Sequence, residues 1–324
     1  MWLFKNQKGK MMSNSIITPK MVKNIIGRRN KEIHKGDCGK ILIAAGSTGM
    51  AGAAILSSTA ALRAGAGLVR LAIPQELFPI VQIGIPEATC IPRDLSNMDL
   101  PGFDAACVGP GLGEDEESIS FVRNILKSFR GPLVLDADGL NIVAHNDLFD
   151  LLRERKDRFM GQVIITPHIG EARRLLGMEF DKITEKTVKG EEKADLNNSQ
   201  TRFALATALS QKTRAITILK GAGTVVATES GETYTNTTGN PGLATGGSGD
   251  VLSGIIAGML GQKALLRDLD GLNKSSALAC TICSVYIHGL AGDLAAAEMG
   301  EYGLIAGDIA KYTAFAIKKI LEES

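Results

Sequence analysis

Residues 236–262 read NTTGNPGLATGGSGDVLSGIIAGMLGQ. Gly239, Gly242, Gly246, Gly247 and Gly249 crowd the approach to Asp250, and an apolar run follows without a break. Glycine reaches positive φ and lets backbone come close to a ligand, so successive N–H groups can converge on one point. The apolar run predicts a helix beginning near Asp250, and a helix N-terminus adds partial positive charge. Together these features predict an anion hole for a transferring phosphoryl group, formed by Gly247, Ser248 and Gly249. An ordinary helix cap at Asp250 is the plainer alternative, but a cap does not require so many glycines. No Gly-Lys-Ser/Thr follows, so this is not a Walker A loop.

Outward from this stretch, short apolar runs recur, each closed by a Gly- or Asp-containing turn: KILIAAG (40–46), LVRLAIP (68–74), AACVGPG (105–111), PLVLDADG (132–139), QVIITPH (162–168) and ITILKG (216–221). Helix-like stretches such as 52–67 and 117–129 separate them. Strand–helix alternation with continuously apolar strands predicts an α/β fold, a mostly parallel sheet with helices on both faces. Right-handed crossovers put the strand C-terminal ends on one edge, where ligands bind in open α/β sheets. The glycine-rich motifs all fall at such ends. Residues 224–238 predict a hairpin. The charged segment 178–200 predicts a surface helix and loop without chemistry.

The length of 324 residues suits one large α/β domain. With 44% hydrophobic and 22% charged residues, a sizeable core is expected. The formal net charge of +1 excludes the basic excess of a nucleic-acid or anionic-membrane binder, and 5% aromatics offers little for base stacking. No run reaches the roughly 18 apolar residues of a membrane span, and the N-terminus lacks the pattern of a signal peptide. Cys280 and Cys283 have CxxC spacing inside an apolar run, so core packing is expected rather than metal or redox work. The cysteine usage points to a reduced, cytoplasmic setting. No metal-ligand set is expected.

The segment Gly247-Ser248-Gly249-Asp250 resembles the anion-hole motif of the ribokinase-like superfamily, which implies a three-layer fold and Asp250 as the base toward an acceptor hydroxyl. A narrower resemblance spans about 34–318. HKGDCGKILIAAGSTGMAGAAILSSTAALRAGAGLVRLAIP (34–74), VGPGLG (108–113), LVLDADGLN (133–141), ITPHIGEARRLLG (165–177), LKGAGTVVA (219–227), GNPGLATGGSGDVLSGIIAGMLGQ (239–262) and HGLAGD (288–293) match, in order, the motifs of the NAD(P)H-hydrate dehydratase family. Ser248, where the ATP-using branch has Gln, and the preceding GNPGLAT are similar to the ADP-using branch.

That resemblance implies a metabolite-repair lyase. It would dehydrate the S epimer of hydrated NADH or NADPH at the expense of ADP with Mg²⁺, giving NAD(P)H, AMP and phosphate. It implies Lys220, Gly221, Ala222, Gly223 and Thr224, with Gly249, at the nucleotide, although a tight hairpin turn is the equal alternative from spacing alone. It implies Ala53, Ala54, Gly111 and His168, with Asp250, at the hydrated dinucleotide. Glu171 reads equally as a helix-start residue, His34 and His288 more readily as structural, and Asp136 and Asp138 as loop caps. Gly46, Gly49 and Gly52 have GxxGxxG rather than GxGxxG spacing, so no dinucleotide fingerprint is read there. The expected parse is an extension at 1–33 and one domain at 34–324. The 33 residues before His34 are too few for an epimerase domain, so the stand-alone form is expected, working with a separate NAD(P)H-hydrate epimerase. By resemblance the chain is a homo-oligomer, a tetramer. The alternatives are a hydroxyethylthiazole-kinase-like enzyme and a catalytically silent nucleotide sensor.

Overall fold

The computed structural model describes residues 2–5, 11–94, 100–159, 162–187, 196–262 and 276–322. The six apolar runs become parallel strands: β3 (Lys40–Ala44), β4 (Leu68–Ile73), β6 (Ala105–Val108), β7 (Leu133–Leu135), β8 (Val163–Ile165) and β9 (Ile216–Leu219). A seventh parallel strand, β5 (Thr89–Pro92), borders β4. The expected hairpin forms from β10 (Val225–Ala227) and β11 (Glu232–Thr235), antiparallel to each other, with β10 also antiparallel to β9.

The N-terminal residues add β1 (Trp2–Lys5) and β2 (Met11–Ile16), and β2 runs parallel to β11. The order across the described sheet is β1-β2-β11-β10-β9-β8-β7-β6-β3-β4-β5. Helix α1 (Pro19–Ile25), capped by Thr18 and started by a proline, packs on the same body. The fold therefore begins well before His34. The proposed boundary at 33/34 hides a strand whose residues, MMSNSI, show no apolar periodicity. Such a segment gains its ladder bonds from β11, not from its own pattern.

Buried strands explain the continuous apolar runs. Ile41 and Ile43 point to one face of β3, Leu42 and Ala44 to the other, and all four are fully buried. One face is covered by α1, α2 (Ala51–Arg63), α3 (Phe78–Gly84), α10 (Ser248–Leu260), α11 (Ser276–Met299) and α12 (Ala306–Glu322). The other is covered by α4 (Glu116–Ser128), α5 (Asp138–His145), α6 (Phe149–Arg158), α7 (Ile169–Leu176), α8 (Met178–Thr187) and α9 (Ser199–Thr213). This is the expected three-layer arrangement. The segment 178–200 does begin as a helix, but it is not wholly at the surface, since Phe180 is fully buried under the Arg173 guanidinium.

Helix α11 is long and apolar enough to cross a membrane, with an 18-residue window of mean hydropathy 1.4. It passes that test as a core helix, packed against α10 and α12 with 78% of the window buried in the protein. Cys280 and Cys283 lie in it, buried and unpaired, as the core-packing expectation required.

Helix α10 packs directly on α2. A Cβ at Gly254 would lie 2.1 Å from the Ser57 carbonyl oxygen, and one at Gly258 would lie 2.6 Å from that of Ala61. These two glycines let the helix axes come together, and so decide where the N-terminal turn of α10 sits above the sheet.

Candidate active site

Strand order reverses between β3 and β6: β4 and β5 lie on one side of that pair, β7 to β9 on the other. Ligands in open α/β sheets bind in the crevice beyond the strand ends at such a point. Here the loop after β3 meets the loop after β6 through the Gly46 amide, which donates to Pro110 O at 2.8 Å. Arg93, buried beyond β5, clamps both loops, donating to Gly46 O and Leu112 O. At this junction a Cβ on Gly111, which has φ 57°, would lie 2.9 Å from the Ala53 Cβ. Ala53 and Gly111 thus come together at the reversal. Ala54 is fully buried against Gly46 and supports the loop from beneath.

The anion-hole segment forms a turn as the glycines suggested, with a shifted helix start. Gly247 is the N-cap, with φ 88°, and Ser248, Gly249 and Asp250 are the first three helical residues. The first α-helical bond runs from Val251 N to Gly247 O. The Ser248 amide donates to Thr245 O at 3.3 Å, while the amides of Gly249 and Asp250 fall where helix geometry supplies no carbonyl partner, at the positive end of the helix dipole. A Cβ at Gly247 would lie 2.4 Å from Leu56 Cδ1 of α2, so only glycine fits both the conformation and the packing.

Helix α11 braces this turn. Asp293 accepts from the Gly239 amide at 2.9 Å and from Asn240 Nδ2 at 3.0 Å. His288 Nε2 donates to Ser248 O at 3.0 Å, and the buried Ser248 Oγ lies 3.3 Å from the same nitrogen. Burial pushes the His288 imidazole down to about 4, so it is a neutral donor at physiological pH. His288 thus holds the Ser248 carbonyl and lies beside its hydroxyl, a structural brace for the turn.

Asp250 stands over a buried charge cluster. Burial, then the Asp136 charge, pushes its carboxyl up to about 7 against the pull of Lys220, while Asp138 and Glu171 push in the same direction as Asp136. Asp136, 1% exposed, lies just past β7, accepts from Lys220 Nζ at 2.8 Å and from Ser253 Oγ at 2.6 Å. Burial works against its ionised form, yet the Lys220 and Ser253 contacts hold it below the usual carboxylate value. Burial likewise disfavours the Lys220 ammonium, but Asp136 and Glu171, the latter at 3.7 Å, hold its pKa above the ordinary lysine value. A Cβ on Gly249 would lie 3.2 Å from Lys220 Nζ, so the ammonium rests against the first turn of α10. The ammonium of Lys220 is therefore turned inward, between Asp136 and the first turn of α10.

The rest of that loop is open. Gly221 (φ 138°) and Gly223 (φ 62°) carry it from β9 into β10 with Ala222 exposed between them, and Thr224 Oγ1 donates to Gly221 O. It is a tight turn as well as a candidate nucleotide loop. The guanidinium of buried Arg202 supports it, donating to Leu219 O and Lys220 O. The Lys220 amide donates to Pro167 O, tying the loop to the β8–α7 turn. There His168 is the N-cap of α7, and its Nδ1 accepts from the amides of Gly170 and Glu171. Glu171 returns the bond, accepting from the His168 amide at 2.8 Å, and so closes a capping box. The His168 ring is half exposed, and its Nε2 lies 3.5 Å from Glu171 Oε1.

Asp136 and Asp138 diverge beyond the strand end. The strand ends at Leu135, and Ala137 has φ 46°. Asp136 turns to Lys220, and Asp138, the first residue of α5, accepts from the Gly113 amide. Sequence reasoning underrated Asp136, Glu171 and Asp293 and passed over Ser253 and Asn240. Lys220 and Asp136 are 84 residues apart, with no spacing signal to join them. The one available hint was that each polar residue ends an apolar strand. His34 sits in an exposed turn before β3, away from these strand ends. Among the described residues no group of three or more His, Cys, Asp or Glu is arranged to hold a metal ion.

Comparison with known proteins agrees with this layout. The family model described as NAD(P)H-hydrate dehydratase matches residues 41–314. The chain is 36% identical over 321 residues to the bifunctional NAD(P)H-hydrate repair enzyme of Moorella thermoacetica, covering 95% of this chain and 54% of the relative. It is 37% identical over 283 residues to the enzyme of the same name from Escherichia coli, covering 87% and 48%. It therefore spans about half the length of these curated relatives. The ADP/ATP-dependent NAD(P)H-hydrate dehydratase of Bacillus subtilis, co-crystallised with ATP and Mg²⁺, superposes with TM-score 0.75 and 27% identity, covering 94% of this chain and 98% of that one. A ribokinase-like superfamily protein from Enterococcus faecalis, 23% identical with TM-score 0.76, shares the fold and covers 96% and 97%.

Proposed function

We propose, from the premise that the chain belongs to the NAD(P)H-hydrate dehydratase family, that it dehydrates the S epimer of hydrated NADH or NADPH using ADP. The products are NAD(P)H, AMP and phosphate. One observation carries this reading. Asp250 is held in the first turn of α10, above the strand C-terminal ends, with a carboxyl poised near 7. A general base works best when its pKa lies near the operating pH.

In the reaction, Asp250 takes the proton of the ring hydroxyl as that oxygen attacks the terminal phosphorus of ADP. The P–O bond to AMP breaks. The amides of the Gly247–Asp250 turn receive the charge that develops on the phosphoryl oxygens. The lone pair of the ring nitrogen then expels phosphate, leaving an iminium ion, and loss of a proton from the adjacent ring carbon to the departing phosphate restores the dihydronicotinamide and completes the elimination. Ala53, Gly111 and His168 are the residues placed to hold the dinucleotide, and the 221–224 loop to hold the AMP part. Four carboxylates around one ammonium fit a nucleotide that brings its own cation, and no residue of the chain is assigned as a metal ligand. Mg²⁺ bound to the phosphates would supply charge neutralisation.

ADP rather than ATP is the proposed donor, on the strength of Ser248 and the GNPGLAT segment. Relatives named as bifunctional support pairing with an epimerase activity. A cytoplasmic homo-oligomer, a tetramer, completes the proposal. The test is incubation with NADHX or NADPHX, Mg²⁺ and either ADP or ATP, following the absorbance of restored dihydronicotinamide. Restoration with ADP and a lower kcat/KM with ATP is the expected result. A stable phosphorylated product would instead favour a hydroxyethylthiazole-kinase-like enzyme, and nucleotide binding without turnover a sensor.

A further inference from the structure

Asp136 touches neither the candidate dinucleotide residues nor the open part of the nucleotide loop. It is nevertheless buried, charged, and bonded on both sides. Its Oδ2 accepts from Ser253 Oγ at 2.6 Å, one turn along α10 from Gly249, and Ser253 Oγ also lies 3.1 Å from Gly249 O. Its Oδ1 holds Lys220 Nζ at 2.8 Å, and that ammonium lies against Gly249 from the other side. The strand-end backbone is fixed as well, since a Cβ on Gly109 would lie 1.9 Å from Asp136 O. The Asp136 carboxylate thus serves the two contacts that flank the turn carrying Asp250.

We propose that Asp136 is a positioning residue for the reaction: through Ser253 and Lys220 it holds the Asp250 turn, and its buried charge, with that of Glu171, keeps Asp250 a strong base. This rests on the proposed role of Asp250. Four charged groups act on that residue. Asp136 follows β7, Asp138 opens α5, Glu171 lies in α7 and Lys220 follows β9. Cys107 of β6 is a buried thiol held neutral by burial. His288 of α11 is neutral. Helix α2 presents Leu56 and the start of α12 presents Ala306 to Gly247, while Asp308 is turned to the Ile305 amide. Among the described residues the balance is four carboxylates to one ammonium, and removing a carboxylate must ease ionisation of Asp250.

The experiment is Asp136→Asn in the full chain. Asparagine keeps both contacts: its oxygen accepts from Lys220, and its amide donates to Ser253 Oγ, whose proton turns to Gly249 O. The acid limb of kcat/KM should move to lower pH by about one unit, the scale of losing one close like charge, with a modest fall on the plateau from the weaker base. The ¹³C shift of the Asp250 carboxyl, assigned by its loss in Asp250→Asn, should titrate with the same displacement. Glu171→Gln retains the capping box and should move both readouts the same way by less. A folded Asp136→Asn protein whose limb and carboxyl titration stay in place, or move up, overturns the proposal. So does an unmoved Glu171→Gln protein, which decides the matter if Asp136→Asn fails to fold. If the wild type turns over no hydrated dinucleotide, the functional reading fails, and the carboxyl titration still tests this inference.

Discussion

Replacing Gly249 with Ala separates what the first turn of α10 does for stability from what it does for chemistry. Gly249 is not among the positive-φ residues, so alanine meets no backbone strain, and in a helix it is favoured over glycine by about 1 kcal/mol. The new Cβ would lie 3.2 Å from Lys220 Nζ, 3.7 Å from Asp136 Oδ2 and 4.0 Å from Lys220 Cε. Ordinary contact begins nearer ~3.5 Å, so the ammonium must retreat by a few tenths of an ångström from its 2.8 Å bond to Asp136. A charge-assisted bond of this kind is worth about 1.5–3 kcal/mol, and loosening it forfeits about half. The two effects nearly cancel, so Tm should stay within about 4 °C of wild type. No such cancellation applies to catalysis. A loss of about 1 kcal/mol in the charge arrangement beside Asp250 corresponds to roughly a fivefold drop in kcat/KM, and a displaced Lys220 enlarges it. Differential scanning calorimetry beside steady-state kinetics with varied ADP reads both quantities on one preparation. Unchanged kcat/KM would refute the functional weight given to the Lys220–Gly249 contact. A Tm loss of 8 °C or more would show that the contact is mainly a matter of folding.

Asp250→Asn should lower kcat by about 10²–10⁴-fold while nucleotide binding, measured by calorimetric titration, persists. The same variant should be the more heat-stable protein above neutral pH. A carboxyl raised to about 7 adds no cost below its ordinary 3.8, where folded and unfolded chains are both protonated; the cost grows as pH rises and is complete above about 7. A Tm difference between variant and wild type that does not widen from pH 4 to pH 8 would contradict this. Gly254→Ala should destabilise the fold by about 1–3 kcal/mol, because its Cβ would fall 2.1 Å from Ser57 O, and denaturant unfolding at constant m would register it. Gly223→Ala meets nothing within 4 Å and costs about 1 kcal/mol of left-handed strain, so it probes the nucleotide loop better than Gly221, whose Cβ would press on the Arg202 guanidinium at 3.0 Å. It should raise the KM for ADP, whereas Ala53→Leu should first raise that for the hydrated dinucleotide; equal effects on both ligands would dissolve the division of the site.

Read alone, the sequence determined the layers and the edge on which the site lies. The six apolar runs are strands because residues buried on both faces leave no room for polar alternation, and their C-terminal turns carry the glycines that a close approach to a ligand requires. Gly247 has φ 88° because that conformation and the Leu56 contact admit no Cβ, and the clustering of glycine before Asp250 announced it. Tertiary structure alone decided the partners. Strand β2 was invisible because a polar segment that borrows its hydrogen bonds from β11 has no periodicity of its own. The Lys220–Asp136 pair has no local signal, since it forms only because β7 and β9 flank β8 in the sheet and deliver the residues just past their ends to one buried spot. Charges that meet in this way are joined by strand order, which no local spacing encodes. Burial then makes their mutual effect large enough to set the basicity of Asp250.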